Sequence, residues 1–250
     1  MINIYTSTHQ GLVRKQNQDF FDFHIYENGE MAFVIVCDGM GGENAGEVAS
    51  KLACDTIKTQ ILKTNTKFIS PSNIKSILES AISVANSKVF DASQSDEKYG
   101  GMGTTVVVMF LIGSEIFVMY AGDSRAYIIG GNKINQITKD HTVVQSLVDA
   151  GEITCEEAQS HPQKHFITRA LGVARGLDTD YVECELPTDG SVLICTDGLS
   201  NYLVDEDMAN LEKNATQNKN ADFFINYALS KGGLDNITAV LVNRRTEING

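Results

Sequence analysis

Two kinds of hydrophobic pattern run along this 250-residue chain. Short apolar runs rich in Val, Ile and Thr occupy 32–37, 104–112, 116–121, 125–129, 191–195 and 237–242, most of them closed by Gly, Asp or Asn. Such runs predict buried or half-buried strands. The runs at 104–112, 116–121 and 125–129 are separated only by GSE and GDS turns, which is an antiparallel meander and not a βαβ alternation. Elsewhere apolar residues recur every three or four positions. Ala45, Val48, Ala49, Leu52, Ala53, Ile57 and Ile61 predict a helix over 45–62, and Ile74, Ile77, Leu78, Ala81, Val84, Ala85 and Val89 predict one over 72–90, with Pro71-Ser72 at its start. Shorter helices are expected at 142–150, 205–212 and 221–230, the last stopped by Gly232-Gly233. The stretch 140–172 is polar and broken and reads as an insertion over one edge. The sum predicts an α+β sandwich with helices outside packed sheets.

Composition narrows this picture. The length suits one large domain or two small ones. With only three prolines and no linker-like stretch, one domain over 1–245 with a tail at 246–250 is expected. Apolar residues make up 42% and charged residues 21%, which excludes global disorder. Acidic residues outnumber basic ones 32 to 20, for a net charge of −12. A nucleic-acid partner or a polybasic membrane surface needs the opposite balance. The first residues carry no apolar leader segment, and the longest apolar run, 105–112, is too short to span a bilayer. The five cysteines, Cys37, Cys54, Cys155, Cys184 and Cys195, are odd in number and form no CxxC pair. They read as reduced packing residues of a cytoplasmic protein, not as a zinc site or a disulfide framework.

One local pattern recurs and carries chemistry. VIVCDGMGG and VLICTDGLS each drive an apolar run through the core and deliver Asp38 or Asp197 at its mouth. VMYAGDSRAY delivers Asp123 in the same way, GGLDNITAVLV places Asp235 just before a strand, and RKQNQDF places Asp19 beside a polar turn. A single Asp-Gly is ordinarily a turn. Five acidic positions at strand ends are harder to dismiss, because converged carboxylates repel and desolvating them is costly unless a cation neutralises them. All-oxygen donors select hard divalent ions such as Mg²⁺ or Mn²⁺. Gly39, Gly41 and Gly42 allow close backbone approach, and a carbonyl there can join a metal shell. Arg14 stands five residues before Asp19, and its guanidinium is a natural fork for phosphate. The implied chemistry is metal-assisted phosphoryl hydrolysis, in which metals lower the pKa of a water and the resulting hydroxide attacks phosphorus in line.

Read in order, GLVRKQNQD, VCDGMGG, GMGTTVVV, YAGDSRAY, TKDHTVVQSLVDAGEIT, HPQKHFITRALG, LICTDGLS and GGLDNITAVLV cover the chain from about Gly11 to Val242. In this order and spacing the sequence resembles the metal-dependent protein Ser/Thr phosphatases of the PPM or protein phosphatase 2C family, in compact bacterial form. The resemblance implies a four-layer α-β-β-α sandwich of two antiparallel sheets, with 140–172 as the family's flap. It implies two to three Mn²⁺ or Mg²⁺ ions. Asp38 would bridge the catalytic pair, with the Gly39 carbonyl completing one shell and Asp197 and Asp235 as ligands of the second ion. Asp19 would hold metal-bound waters, Asp123 with Asp197 would hold a looser third ion, Arg14 would clamp the substrate phosphate, and Asn236 would support the ligands. Phosphorylated proteins, including a Ser/Thr protein kinase and its targets, are the implied partners of a monomer.

One departure from the better-known eukaryotic pattern bears on mechanism. Where that pattern has DGHGG, whose His is the proposed general acid, this chain has Met40, which cannot donate a proton. His141 reads as structural, and His161 and His165 fall in the flap near the mouth of the site. Thr104 and Thr105 read first as packing residues. The rival to an active phosphatase is a catalytically inactive module of the same fold, which loss of an Asp or of Arg14 would favour. All six are present.

Overall fold

The computed structural model describes residues 1–42, 45–130 and 133–244, and the tail expected at 246–250 lies outside them. One sheet has the order β2 (Asp19–Ile25), β3 (Met31–Met40), β5 (Val106–Ile112), β6 (Glu115–Ala121) and β9 (Asp180–Glu185), with β4 (Gly103–Thr104) paired to the end of β3. The other has the order β1 (Ile2–His9), β11 (Ile237–Arg244), β10 (Ser191–Cys195), β7 (Arg125–Gly130) and β8 (Lys133–Gln136). All pairings between these strands are antiparallel.

Side-chain alternation along each strand sorts residues into three apolar layers. In β3, Val34 and Val36 join Val107, Met109 and Val118 between the sheets, where they meet Val192, Ile194, Val240 and Val242. Phe33, Ile35 and Cys37 point the other way, into α1 (Ala45–Lys63) and α2 (Ile74–Ser95) through Ala49, Ala53, Ile57, Leu78 and Ala85. On the far side Leu193, Cys195 and Leu241 pack against Met208 of α6 (Asp205–Asn218) and Phe224 and Ile225 of α7 (Asp222–Ser230). The order is helices, sheet, sheet, helices: the expected α-β-β-α sandwich. Both faces of each central strand are covered, which is why those strands read as continuous apolar runs without polar alternation.

Local differences from the sequence reading have local causes. Pro71–Asn73 forms a 3₁₀ turn, so α2 begins at Ile74, and it runs on to Ser95. Helix α6 continues past 212 to Asn218 and stops where Lys219 turns left-handed at φ 54°. The 140–172 stretch holds α3 (Val143–Asp149), capped by Thr142, and an unexpected α4 (Cys155–Ser160), opened by a Thr154–Glu157 capping box. Its two arms are joined by a bridge between Thr142 and Ile167, and Leu171 then bridges back to Thr104. All five cysteines are free, with Cys37, Cys54 and Cys195 buried. No helix among the described residues is long and apolar enough to cross a membrane.

Phe110 is fully buried on β5, with its ring 5.9 Å from Phe33 and 6.0 Å from Tyr26. Phe110→Ala is expected to cost about 3–5 kcal/mol in urea unfolding. A loss below about 1 kcal/mol would show that this layer repacks freely.

Candidate active site

Strand direction brings the five aspartates to one end of the sandwich. Asp19 opens β2 and stands opposite Asp38 near the end of β3. Asp123 lies in the turn from β6 to β7, the crossing from one sheet to the other. Asp197 follows β10 and opens the short helix α5 (Asp197–Ser200), and Asp235 precedes β11. Asp38, Asp123, Asp197 and Asp235 line one open cleft of about 630 Å³, together with Arg14, Gly39, Met40, Thr105, Asn236 and, from the 140–172 stretch, Lys164 and His165. Asp19 lies behind this wall and is 6% exposed.

Each carboxylate is held differently. Asp19 Oδ2 accepts hydrogen bonds from Thr196 Oγ1 (2.8 Å) and Thr238 Oγ1 (2.7 Å), while its buried Oδ1 has no partner among the described residues. Burial pushes this carboxyl up to about 7 against the pull of the two hydroxyls. Asp38 is driven well above the usual carboxylate range by burial first, then by Asp19, Asp197, Asp123 and Asp235. Its backbone N–H donates to Thr105 Oγ1 at 3.0 Å, and its carbonyl accepts from Thr105 N and Thr104 Oγ1. Burial and then Asp197 push Asp123 up to about 7, and Asp197 is raised by burial and then by Asp235. Asn201 Nδ2 donates to Asp197 Oδ2 at 3.3 Å, and His165 Nδ1 lies 4.0 Å from the same oxygen. Asp235 Oδ2 takes the Arg14 guanidinium at 2.7 Å, which raises the Arg14 pKa further.

The backbone packs too tightly here for side chains at two positions. A Cβ on Gly39 would stand 2.0 Å from the Gly46 carbonyl, and one on Gly198 would stand 1.9 Å from the Asn236 carbonyl. Asn236 ties the loop that carries Arg14 to β11: its Nδ2 donates to the Gln10 and Gln16 carbonyls, and its Oδ1 accepts from Gln18 N. The sequence reading marked Asn236 but missed Thr196 and Thr238, whose only signal was a hydroxyl residue beside each of two acidic motifs. Of the histidines in the 140–172 stretch, His165 lines the cleft, whereas His161 uses Nδ1 to accept from Gln163 N within its own turn.

The match to known proteins can be set beside this geometry. The protein phosphatase 2C family profile matches residues 9–230. The chain belongs to the protein phosphatase 2C family. It is 36% identical over 239 residues to the serine/threonine phosphatase stp of Listeria monocytogenes serotype 4b, covering 95% of this chain and 94% of that one. It superposes on the serine/threonine phosphatase of S. agalactiae with a TM-score of 0.89 at 35% identity, covering 98% and 100% of the two chains. The catalytic domain of the phosphatase PstP, solved in complex with two manganese ions, matches with a TM-score of 0.81 at 30% identity over 97% of each chain.

The donor set suits the hard cations that a protein phosphatase 2C chain would bind. It consists of carboxylates and carbonyls, with Asp19, Asp38, Asp123 and Asp197 raised in pKa by burial first and by neighbouring carboxylates after it, and with an oxygen on Asp19 that has no partner among the described residues. No three His, Cys, Asp or Glu side chains among the described residues form a group able to hold an ion by themselves. An ion held here would take part of its shell from water or backbone carbonyls.

An acid whose pKa is raised by folding keeps its proton in the fold and loses it in the unfolded chain. For Asp19 and Asp123 this spans the window from the ordinary 3.8 to about 7, and stability falls as pH rises through it. In EDTA the melting temperature is expected to drop between pH 5 and pH 7.5, and saturating Mn²⁺ should cancel the drop by favouring the charged forms. A melting temperature in EDTA that rises across this window would contradict the burial argument.

Proposed function

We propose that this protein is a metal-dependent protein serine/threonine phosphatase, with residues 1–245 as one catalytic domain and 140–172 as its flap. The observation that carries this reading is Arg14 beside a converged aspartate cluster in one open cleft. The proposed cofactors are two to three Mn²⁺ or Mg²⁺ ions, held by Asp19, Asp38, the Gly39 carbonyl, Asp123, Asp197 and Asp235. The proposed substrates are phosphorylated proteins, a Ser/Thr protein kinase and its targets among them, met by a cytoplasmic monomer.

When bound, a pair of divalent cations supplies Lewis acidity that stabilises phosphoryl charge and lowers the pKa of water. The chain's own residues do the rest. Asp38, surrounded by the other carboxylates, is the natural centre of the cluster. The Thr196 and Thr238 hydroxyls fix one oxygen of Asp19 and leave the other free for water. Arg14 is 55% exposed at its side chain, so it can swing from Asp235 to two phosphoryl oxygens without crossing packed structure. Asn236, the residue after Asp235, ties down the loop that carries Arg14. Met40 lines the cleft and brings no proton donor.

With Mn²⁺ or Mg²⁺, para-nitrophenyl phosphate and a phosphothreonine peptide are expected to be hydrolysed, and EDTA should stop both. Asp38→Asn and Asp197→Asn should each cut turnover by orders of magnitude, because each removes charge from the metal pair. Metal-replete protein that turns over neither substrate would end the enzyme reading. Arg14→Ala should raise KM with a smaller change in kcat, as uniform phosphate binding requires. A change in kcat alone would assign the guanidinium to the transition state instead.

A further inference from the structure

His141 stands at the root of the flap, 7% exposed, and belongs to none of the groups described above. Its ring stacks on Tyr120 with centroids 5.2 Å apart and planes 7° from parallel. Nδ1 accepts the N–H of Gly122 at 3.1 Å, and the backbone N–H of His141 donates to the Gly122 carbonyl at 2.9 Å. Gly122 is therefore gripped on both its polar groups by one residue, and Asp123 is the next residue in the chain. An Nδ1 that accepts leaves the ring proton on Nε2, which faces Asp180 Oδ2 at 3.3 Å. Arg169 Nη1 donates to Asp180 Oδ1 at 2.7 Å and lies 3.1 Å from Nε2. The N–H of Thr168 donates to the His141 carbonyl at 2.8 Å. Both ends of the flap, His141 on the way out and Thr168-Arg169 on the way back, thus meet at this one residue, whose ring faces Asp180 at the start of edge strand β9.

The other side of the same turn is held by Thr105. Gly122 presses on Thr105, where a Cβ would stand 2.6 Å from the threonine Cβ. Ser124 Oγ bonds Thr105 Oγ1 at 2.8 Å, and that hydroxyl also accepts the Asp38 N–H. The turn that carries Asp123 is thus clamped between Thr105, which belongs to the Asp38 side of the cluster, and His141, which belongs to the flap. Two clamps have different consequences. Loosening the Thr105 side disturbs Asp38 and Asp123 together, whereas loosening the His141 side frees Asp123 alone.

We propose that His141 is a positioning residue that fixes the Asp123 carboxylate for a cation and couples that carboxylate to the flap through Asp180 and Arg169. The proposal rests on the reading of Asp123 as a ligand of the loosest ion. Partners that orient a metal-binding group change metal affinity by about 10- to 100-fold when removed. Because the clamp acts on one ligand, the effect is confined to the ion that Asp123 serves.

Calorimetric titration of metal-free, full-length protein with Mn²⁺ separates the outcomes. Wild type is expected to show a tight phase and a weak phase, and Asp123→Asn to lose the weak one. His141→Ala should weaken the weak phase at least about tenfold and leave the tight phase within about twofold. His141→Asn, whose amide oxygen can still accept from Gly122, should recover part of the loss, and Arg169→Ala, which cuts the flap link and keeps the Gly122 bond, should weaken the same phase less. In turnover, His141→Ala should need more Mn²⁺ for half-maximal rate and regain kcat at saturation. An unchanged weak phase in His141→Ala, or equal weakening of both phases, overturns the proposal. If His141→Ala does not fold, the Asn and Arg169 variants decide by the same ratio of phases. A wild type with no weak phase, matched by Asp123→Asn, instead removes the ligand reading of Asp123 and leaves the tight-phase enzyme reading standing.

Discussion

Five carboxylates pressed into one end of a sandwich repel one another, and burial removes the water that would screen them. Both effects raise the cost of their charge. The fold does not relieve this by spreading them out. It holds four of them in place with groups matched to each: two threonine hydroxyls on Asp19, Asn201 on Asp197, Arg14 on Asp235, and backbone bonds to Thr104 and Thr105 around Asp38. What remains uncompensated is a site with a standing demand for positive charge. The three apolar layers supply the rigidity that keeps the demand from being met by collapse of the cleft.

The seam between two sheets is the place where such a cluster can be built. Each acidic residue sits at or near a strand end, and Asp123, Asp197 and Asp235 lie just outside the strands, where carbonyls and N–H groups are free to take other partners. Asp19 and Asp38 come from one sheet, Asp197 and Asp235 from the other, and Asp123 from the turn that joins them. Contact between Asp19 on one sheet and Thr196 and Thr238 on the other crosses the gap directly. The site therefore also stitches the two sheets at their polar end, while Val34, Val36, Val192 and Val240 join them in the middle.

Legibility followed burial. The six strands read from the sequence correspond to the central strands β3, β5, β6, β10 and β11 and to β7 beside them, all dense in apolar residues. Apart from the two-residue β4, the four that went unread, β1, β2, β8 and β9, are the four sheet edges. An edge strand has a polar or half-buried face, as in the alternation of Asp180–Glu185, and its pairing is decided by a neighbour far away in sequence. The site behaved in the same way. Asp38, Asp123, Asp197 and Asp235 stood out because each ends an apolar run or lies beside one, whereas the threonines around Asp19 and the clamp on Gly122 exist only in three dimensions. Helix α4 shows the remaining limit. Its capping box is local and was open to reading, but a six-residue polar helix has no apolar face to announce it.

The negative charge of the whole chain bears on how the cleft would take a phosphate. A net charge of −12 opposes a phosphate group at long range, so attraction for the phosphate has to be generated inside the cleft. Among the described residues, three basic side chains line it, Arg14 from one bank and Lys164 and His165 from the 140–172 stretch. Of these, Arg14 is engaged by Asp235 at 2.7 Å. On the proposed reading, a cation on Asp235 and a phosphate on Arg14 each draw away the other's competitor. Metal and substrate must then favour one another to the same degree, because linkage between two sites is reciprocal. A chain this acidic would accept its anionic substrate in proportion to the cations it already holds, and the Arg14–Asp235 pair is the contact through which that dependence would run.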